Sequence, residues 1–477
     1  MGFAPRRPFG IWALAVLALA ASGCGGSRHG AQTGAQTSAR SSATTPTPTS
    51  TSASIHNRGT VGIVAVKVVD GDTGKSVPGA RVRVRDARRL GASSFAWPRG
   101  RSELVSVAAP HYTPVAVRLS PGKSRSVTVR LFSPAGQWLM YGVNPARTQD
   151  QSAIRLRPPF RIAWGRSLGA LLEFPAVVDD GVAYLSNAAG ELFALSMRNG
   201  RTLWKFDLHT SAEASSPAVL GADLVVHSKS GRVDVLARAS GRLLWSRSTE
   251  GEIESSPVVE NGVDYLGDWS GHVYALDLRT RRFRWIYDDG CKITASVALS
   301  GNTVFLGDYC GRIVALQRRT GRLLWSRSAG SPVYGASAVA AGRVFVPSRD
   351  AGALYAFSTG GAYLWDIHTG DTVYSAPAVW RGRVYFGSYD GELYCVSAAS
   401  GAVIWQLPVG GRISGSATVV DGVVYVGSFE HRIVGADART GRILFSFPHG
   451  EYVAVSGDRG RLLLYGWSSL WAVEPRR

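Results

Sequence analysis

Aromatic side chains recur with a period of 40 along most of this chain, at Trp164, Trp204, Trp245, Trp285, Trp325, Trp365, Trp405 and Phe445. One spacing is 41, and the octapeptide GRLLWSRS is copied without change at 241–248 and 321–328, two periods apart. A repeat of this length holding several short strands marks the blade of a β-propeller. The unit reads most clearly at 416–445, SATVVDGVVYVGSFEHRIVGADARTGRILF. Residues 418–420 predict a first strand, and Asp421-Gly422 a tight hairpin turn that needs positive φ. A second strand follows at 423–427, a third at 432–436, and Thr440-Gly441 turns into a fourth at 442–447. The strands are apolar on both faces, as expected of a blade enclosed by two neighbours. Because the aromatic keeps its phase in every unit, packing between blades explains it better than a cofactor or sugar platform does.

Seven units are complete, and the one after Phe445 has only three strands, VAVS, RLLLYG and LWAV. Before the first complete unit lies a single orphan strand, 160–166, which contains Trp164. Pairing the orphan with the last unit closes the ring and removes its exposed edges. The expected fold class is all-β, an eight-bladed β-propeller over 136–477 preceded by a small β-sandwich.

The region before the repeat has three textures. Arg6 and Arg7 precede an uncharged apolar run, 11–21, too short to span a bilayer. Ala21-Ser22-Gly23-Cys24 follows, which resembles a bacterial lipobox, so residues 1–23 are expected to be a lipoprotein signal peptide and Cys24 the lipidated mature N-terminus. An ordinary signal with an incidental cysteine is the alternative. Arg6-Arg7-Pro8-Phe9 also resembles a twin-arginine export motif. Residues 24–59, rich in Ser, Thr and Pro, carry no apolar periodicity and are expected to form a disordered tether. Residues 60–134 alternate as strands, GIVAVKVVD, ARVRVRD and SVTVRLF, with turn residues clustered at Asp72-Thr73-Gly74-Lys75. They resemble the carboxypeptidase regulatory-like domain, a transthyretin-like sandwich, although its usual turn pattern is hard to find across 88–106.

Charge follows the same divisions. Residues 1–60 carry 5 Lys/Arg and no acids, 61–135 carry 13 against 4, and the remainder 35 against 30, within a net charge of +19. The excess near the anchor is read either as attraction to an anionic membrane or envelope polymer, or as a solvated basic face. An exported chain without a reader motif is not expected to bind nucleic acid.

The unit VWRGRVYFGSYDGELYCVSAASGAVIW at 379–405 and the lead-in WLMYGVNPART at 138–148 resemble the pyrroloquinoline-quinone-like propellers. That family includes quinoprotein dehydrogenases and non-catalytic, BamB-type lipoproteins of the outer-membrane protein assembly machinery. The resemblance implies the fold; activity depends on the site. A quinoprotein needs a Ca²⁺ site, a carboxylate base, an adjacent cysteine pair and a tryptophan floor. No adjacent cysteines occur here, and 40-residue blades leave little spare length to cover a cofactor. No cofactor, metal or catalytic residue is therefore expected. Cys291 and Cys310 fall before the first and after the second strand of one blade, on the same side, so a disulfide is expected, with two reduced thiols as the alternative. Cys395, within LYCV, reads as a small core residue. The histidines show no metal spacing; His209, His368 and His449 recur in one connection, as solvated loop residues.

The connection entering each blade offers the one candidate binding rim. Glu252, Lys292, Thr372 and Arg412 share one register; Glu254, Thr294, Tyr334, Tyr374 and Ser414 share another; apolar Ile253, Ile293, Val333, Val373 and Ile413 lie between. Alternation turns the apolar set inward and the other sets toward the channel mouth. Such a rim suits a peptide or glycan, and an ordinary solvated mouth is the alternative. The expected protein is a monomeric, lipid-anchored, extracytoplasmic scaffold, attached to the cell membrane or to an outer membrane, that binds an envelope protein or glycan. A quinoprotein dehydrogenase with an atypical site and an extracytoplasmic ligand sensor are the other readings.

Overall fold

The computed structural model describes residues 61–477 except 99, 122–123, 211–214, 452, 454 and 477. The expected signal peptide, Cys24 and the tether lie outside the described residues. Among the described residues, no helix is long and apolar enough to cross a membrane.

Seven strands come first: β1 (Val61–Asp70), β2 (Arg81–Val84), β3 (Arg88–Arg89), β4 (Ser94–Pro98), β5 (Glu103–Ala108), β6 (Val115–Leu119) and β7 (Ser126–Leu131). They form two sheets, ordered β3-β4-β1-β7 and β2-β5-β6, with β1 and β7 parallel. Alternation does the sorting. In β2, Val82 and Val84 are buried while Arg81 and Arg83 face water, and the core gathers Val64, Val66, Phe95, Trp97, Val105 and Val129. The stretch that is hard to read in sequence, 88–106, supplies β3, β4 and most of β5.

Eight four-stranded blades follow. Seven are continuous in sequence, at 177–207, 218–248, 258–288, 298–328, 338–368, 378–408 and 418–447. The eighth takes three strands from 455–475 and its fourth from the distant β9 (Phe160–Ser167), which pairs antiparallel with Ser469–Pro475. The ring closes as the strand count predicts. Inner strands are three residues long and reach the next strand through turns such as Asp421-Gly422, where both residues have positive φ, 48° and 74°.

The recurring aromatics pack between blades. Trp204 lies against Gly241 of the next blade and donates its indole N–H to the Arg238 carbonyl; Trp285 and Trp325 repeat this against Gly321 and Gly361, donating to Arg318 and Thr359. Trp164, Trp365 and Trp405 sit on Gly200, Gly401 and Gly441 in the same way. A Cβ on Gly321 would lie 2.7 Å from Trp285, so the turn glycine is needed both for its φ of 72° and for the ring beneath it. Trp245 faces Arg281 instead, whose guanidinium lies 5.7 Å from the ring centre. Phe445 meets Phe160 edge to face at 5.4 Å across the ring closure.

The lead-in segment closes one end of the channel. The backbone N–H groups of Val219, Leu299, Val339, Val379 and Val419, one per blade, donate to the carbonyls of Leu139, Pro145, Ala146, Thr148 and Gln149. Immediately after Gln149, β8 (Asp150–Gln151) pairs parallel with Val419 and Val420. Arg147, 1% exposed, extends from this segment and donates to the carbonyls of Val297, Ser256, Pro257 and Tyr141. A guanidinium with each of its three nitrogens hydrogen-bonded thus plugs the axis.

Candidate functional site at the propeller mouth

The other end of the channel is open and holds a cavity of about 330 Å³. Its floor is the lead-in segment, through Trp138, Tyr141 and Gln149. Its walls are the connections entering the blades, among them Glu173, Glu254, Thr294, Tyr334, Tyr374 and Ser414. The alternation expected along these connections is present. Ile253, Ile293, Val333, Val373 and Ile413 are fully buried behind the wall. Glu254, Thr294, Tyr334, Tyr374 and Ser414 face the cavity, while Glu252, Lys292, Thr372 and Arg412 stand one step further out.

A second ring of residues completes the mouth, and sequence reasoning missed it. The turn between the second and third strands of each of the seven continuous blades presents Ala188, Lys229, Trp269, Tyr309, Arg349, Tyr389 and Phe429, spaced 40 or 41 apart. Asn187, Asp268 and Asp308 brace three of these turns by accepting the backbone N–H groups of Glu191, His272 and Arg312 at 2.9–3.0 Å. The turn residue then bonds the outer rim register: the N–H groups of Trp269, Tyr309, Tyr389 and Phe429 donate to the carbonyls of Glu252, Lys292, Thr372 and Arg412. The same 40-residue phase that reveals the blade aromatics also carries these positions, but their side chains differ from blade to blade.

Together the two rings make an arc of aromatic faces topped by cations. Ring centres run from Tyr309 to Tyr334 at 6.5 Å, to Tyr374 at 5.4 Å, to Tyr389 at 4.8 Å and to Phe429 at 6.1 Å. Lys292 Nζ lies 3.2 Å from the Trp269 ring centre and 4.9 Å from that of Tyr309; Arg412 lies 5.6 Å from Tyr389. Burial holds the Lys292 ammonium below the ordinary lysine range, against the opposing pull of Glu254. Across the cavity, Glu254 accepts from the Tyr334 hydroxyl at 2.6 Å and the Trp269 indole at 3.2 Å. Burial, and then the charge of Glu254, push Glu173 up to about 7.

Cys291 and Cys310 are disulfide-bonded, with Cα atoms 6.0 Å apart. The bond fastens the connection that carries Lys292 to the turn that carries Tyr309, so it braces one side of the mouth. Cys395 is fully buried in the packing between blades. His209, His368 and His449 are exposed.

A quinone cofactor with its cation does not match these residues. Among the described residues no three His, Cys, Asp or Glu side chains cluster closely enough to hold a metal, whereas a hard cation takes six to eight oxygens. The cysteines of the mouth are 19 residues apart in sequence and join two loops, not one strained ring. Tryptophans do line the cavity, at Trp138 and Trp467, but a tryptophan floor alone supplies no chemistry.

The family model described as "Outer membrane protein assembly factor BamB" matches residues 188–293, 270–377 and 350–466, and the chain is a member of that family. Its relatives carry two kinds of name. An outer membrane protein assembly factor BamB of Yersinia pestis is 33% identical over 134 residues, 25% of this chain and 34% of that protein. A quinoprotein ethanol dehydrogenase of Pseudomonas putida is 27% identical over 111 residues, 21% of this chain and 18% of that protein. The matched region spans about a third of the length of the Yersinia protein. Among solved structures, the quinohemoprotein alcohol dehydrogenase of Comamonas testosteroni superposes with a TM-score of 0.62 at 16% identity, covering 71% of this chain and 80% of that one. BamB of Moraxella catarrhalis gives 0.57 at 16%, covering 66% and 100%. At these identities the structures share the fold.

Proposed function

We propose that this chain is a non-catalytic, lipid-anchored envelope protein whose propeller mouth binds a protein or glycan partner, BamB-like in kind. The observation that carries this reading is the mouth itself: an open cup rimmed by aromatic rings and by cations, of which Lys292 and Arg412 have no carboxylate at ion-pair distance among the described residues, over a floor sealed by the lead-in segment. Binding rims enriched in Tyr, Trp and Arg have this composition, while the cup holds no nucleophile–base pair and no cation cluster among the described residues. Cys24 anchors the chain, and 24–59 and 60–134 act as tether and spacer. A photo-crosslinking residue at Tyr374, compared with one at the exposed Tyr363 on a blade's outer strand, tests the mouth in intact cells. Crosslinked product at 374 and not at 363 is expected; equal products at both positions, or none at 374, would contradict the reading. Mass spectrometry of the mature N-terminus checks the anchor, with a diacylglyceryl group on Cys24 expected and an unmodified or absent Cys24 against it.

The second reading, a quinoprotein dehydrogenase, is favoured by the dehydrogenase names among the relatives. It predicts that added quinone and Ca²⁺ raise the melting temperature and support dye reduction with alcohols.

A further inference from the structure

The cavity at the mouth is acidic inside, although its rim carries cations. Glu173 and Glu254 line it, and among the described residues no lysine, arginine or histidine does. The rim lysines, Lys229 and Lys292, are instead held against Trp269, 5.5 Å and 3.2 Å from its ring centre. The two carboxylates stand differently. Glu254 is buried and accepts from the Tyr334 hydroxyl and the Trp269 indole. Both donors are neutral, so they fix the group without cancelling its charge. Burial, and then the charge of Glu254, keep the Tyr334 phenol above the ordinary tyrosine range, so it stays a donor. Glu173 lies half-buried in the connection between β9 and the first continuous blade. Among the described residues it has no hydrogen-bond donor and no ion-pair partner. Around it the wall is apolar and aromatic, through Leu171, Phe174, Val455 and Trp467. The cavity, about 330 Å³, thus holds carboxylates without a matching cation in apolar surroundings, which is costly until one enters.

We propose that this cavity binds a small organic cation, a substituted ammonium whose charge meets Glu173 and Glu254 while its apolar groups pack beside Leu171, Phe174 and Trp467. This goes beyond the contact with a protein or glycan proposed above and adds a small-molecule subsite beneath it. A mostly apolar cavity with a few convergent polar groups is the usual form of such a site. An organic cation fits better than a metal ion, because two carboxylates supply too few oxygens for a hard cation. It fits better than a neutral apolar guest, which would bury both carboxylates further without compensating either. Titration follows from the same arrangement. Burial first, then the charge of Glu254, raise Glu173 to about 7, against the opposing charge of Lys229; the Tyr334 phenol nearby is neutral. The cation pairs with the ionised form, so binding tightens as pH rises through 7 and expels a proton.

The test uses the detergent-solubilised full chain, with tryptophan fluorescence and calorimetry as readouts. The probes are benzyltrimethylammonium, whose charge does not titrate, and the neutral benzyl alcohol and anionic benzoate. Benzyltrimethylammonium is expected to bind at least about tenfold more tightly than benzyl alcohol, and benzoate not to bind. Its affinity should rise about tenfold from pH 6 to pH 8, with proton release near pH 7 read as a dependence of the binding heat on the buffer. Glu173→Gln keeps the shape and removes the charge. At pH 8 it should lower the affinity about tenfold and flatten the pH profile. Its melting temperature there should equal or exceed the parent's, since an uncompensated charge is gone. Benzyl alcohol binding as tightly as the cation would reveal a merely apolar cavity and overturn the proposal. So would no binding of the cation at millimolar concentration, or an unchanged affinity in Glu173→Gln. Displacement of the cation by micromolar Ca²⁺ would assign the carboxylates to a metal and overturn it too. Failure of the larger contact would show separately, as loss of position-specific crosslinking at Tyr374.

Discussion

At the residue scale, the octapeptide shows how a repeated sequence divides its roles. The leading glycine of GRLLWSRS turns with positive φ and leaves room for the tryptophan of the preceding blade. The tryptophan in the same octapeptide reaches the next blade. Gly321→Ala adds a Cβ 2.7 Å from Trp285 at a φ of 72°, and should cost about 2–4 kcal/mol. Gly342→Ala shares the left-handed backbone, at 74°, but has open space around it, so it should cost about 1 kcal/mol. Urea unfolding of the two variants separates strain from clash; equal losses would contradict the inter-blade account. Arg147 is a second decisive residue. Burial lowers its guanidinium to about 10, and four carbonyls hold it in place. Arg147→Met orphans those carbonyls and should destabilise by about 3–5 kcal/mol, with a denaturant midpoint near the parent's as the contrary result. Sequence reasoning identified the lead-in by resemblance but had no periodicity from which to see this plug, because the segment occurs once.

At the element scale, the blades were legible because 40-residue periodicity, turn glycines and two-sided apolar strands all agree. The orphan strand 160–166 and the three-strand remainder sufficed to predict closure. The rim was half legible. Its connection register follows from alternation, whereas Trp269, Tyr309 and Tyr389 share a turn position whose residue type varies between blades, so no consensus drew attention to them. The disulfide between these two half-rims is an element-scale device. Joining residues 19 apart, it should contribute about 3 kcal/mol by constraining the unfolded chain. Replacing both cysteines by serine should lower the melting temperature under oxidising conditions and abolish its sensitivity to reductant; a reductant-insensitive parent would contradict this.

At the scale of the whole molecule, the small sandwich meets the propeller through a buried charged cluster. Arg459, beside the eighth blade's first turn, pairs with Asp70 and with Asp72 at 3.2 Å. Tyr112 donates to Asp70, and Gln137 lies 3.5 Å from Asp72. Burial, and then the charge of Asp458, push Asp72 up to about 7; burial likewise lifts Asp458 to about 6. Both folded-state values lie above that of an unfolded carboxyl, so each group's contribution to stability is full below about pH 4 and is lost as pH rises toward 7. The contact should therefore be tightest in mild acid. Asp72→Asn, which keeps the shape without the charge, should flatten the dependence of stability on pH between 5 and 8 and raise stability at pH 8. An unchanged slope, read by chemical unfolding at each pH, would show that the cluster does not titrate in that range. None of this cluster was visible in sequence, since its members lie almost 400 residues apart and share no motif.

The proposal that this propeller binds at its mouth, and does so without quinone chemistry, is open to direct test. The most direct measurement is the melting temperature of the full chain with pyrroloquinoline quinone and Ca²⁺ added together, scored beside dye reduction with a panel of alcohols and sugars. An unchanged melting temperature and no reduction above the protein-free rate are expected. A saturable rise in melting temperature accompanied by substrate-dependent dye reduction would contradict it.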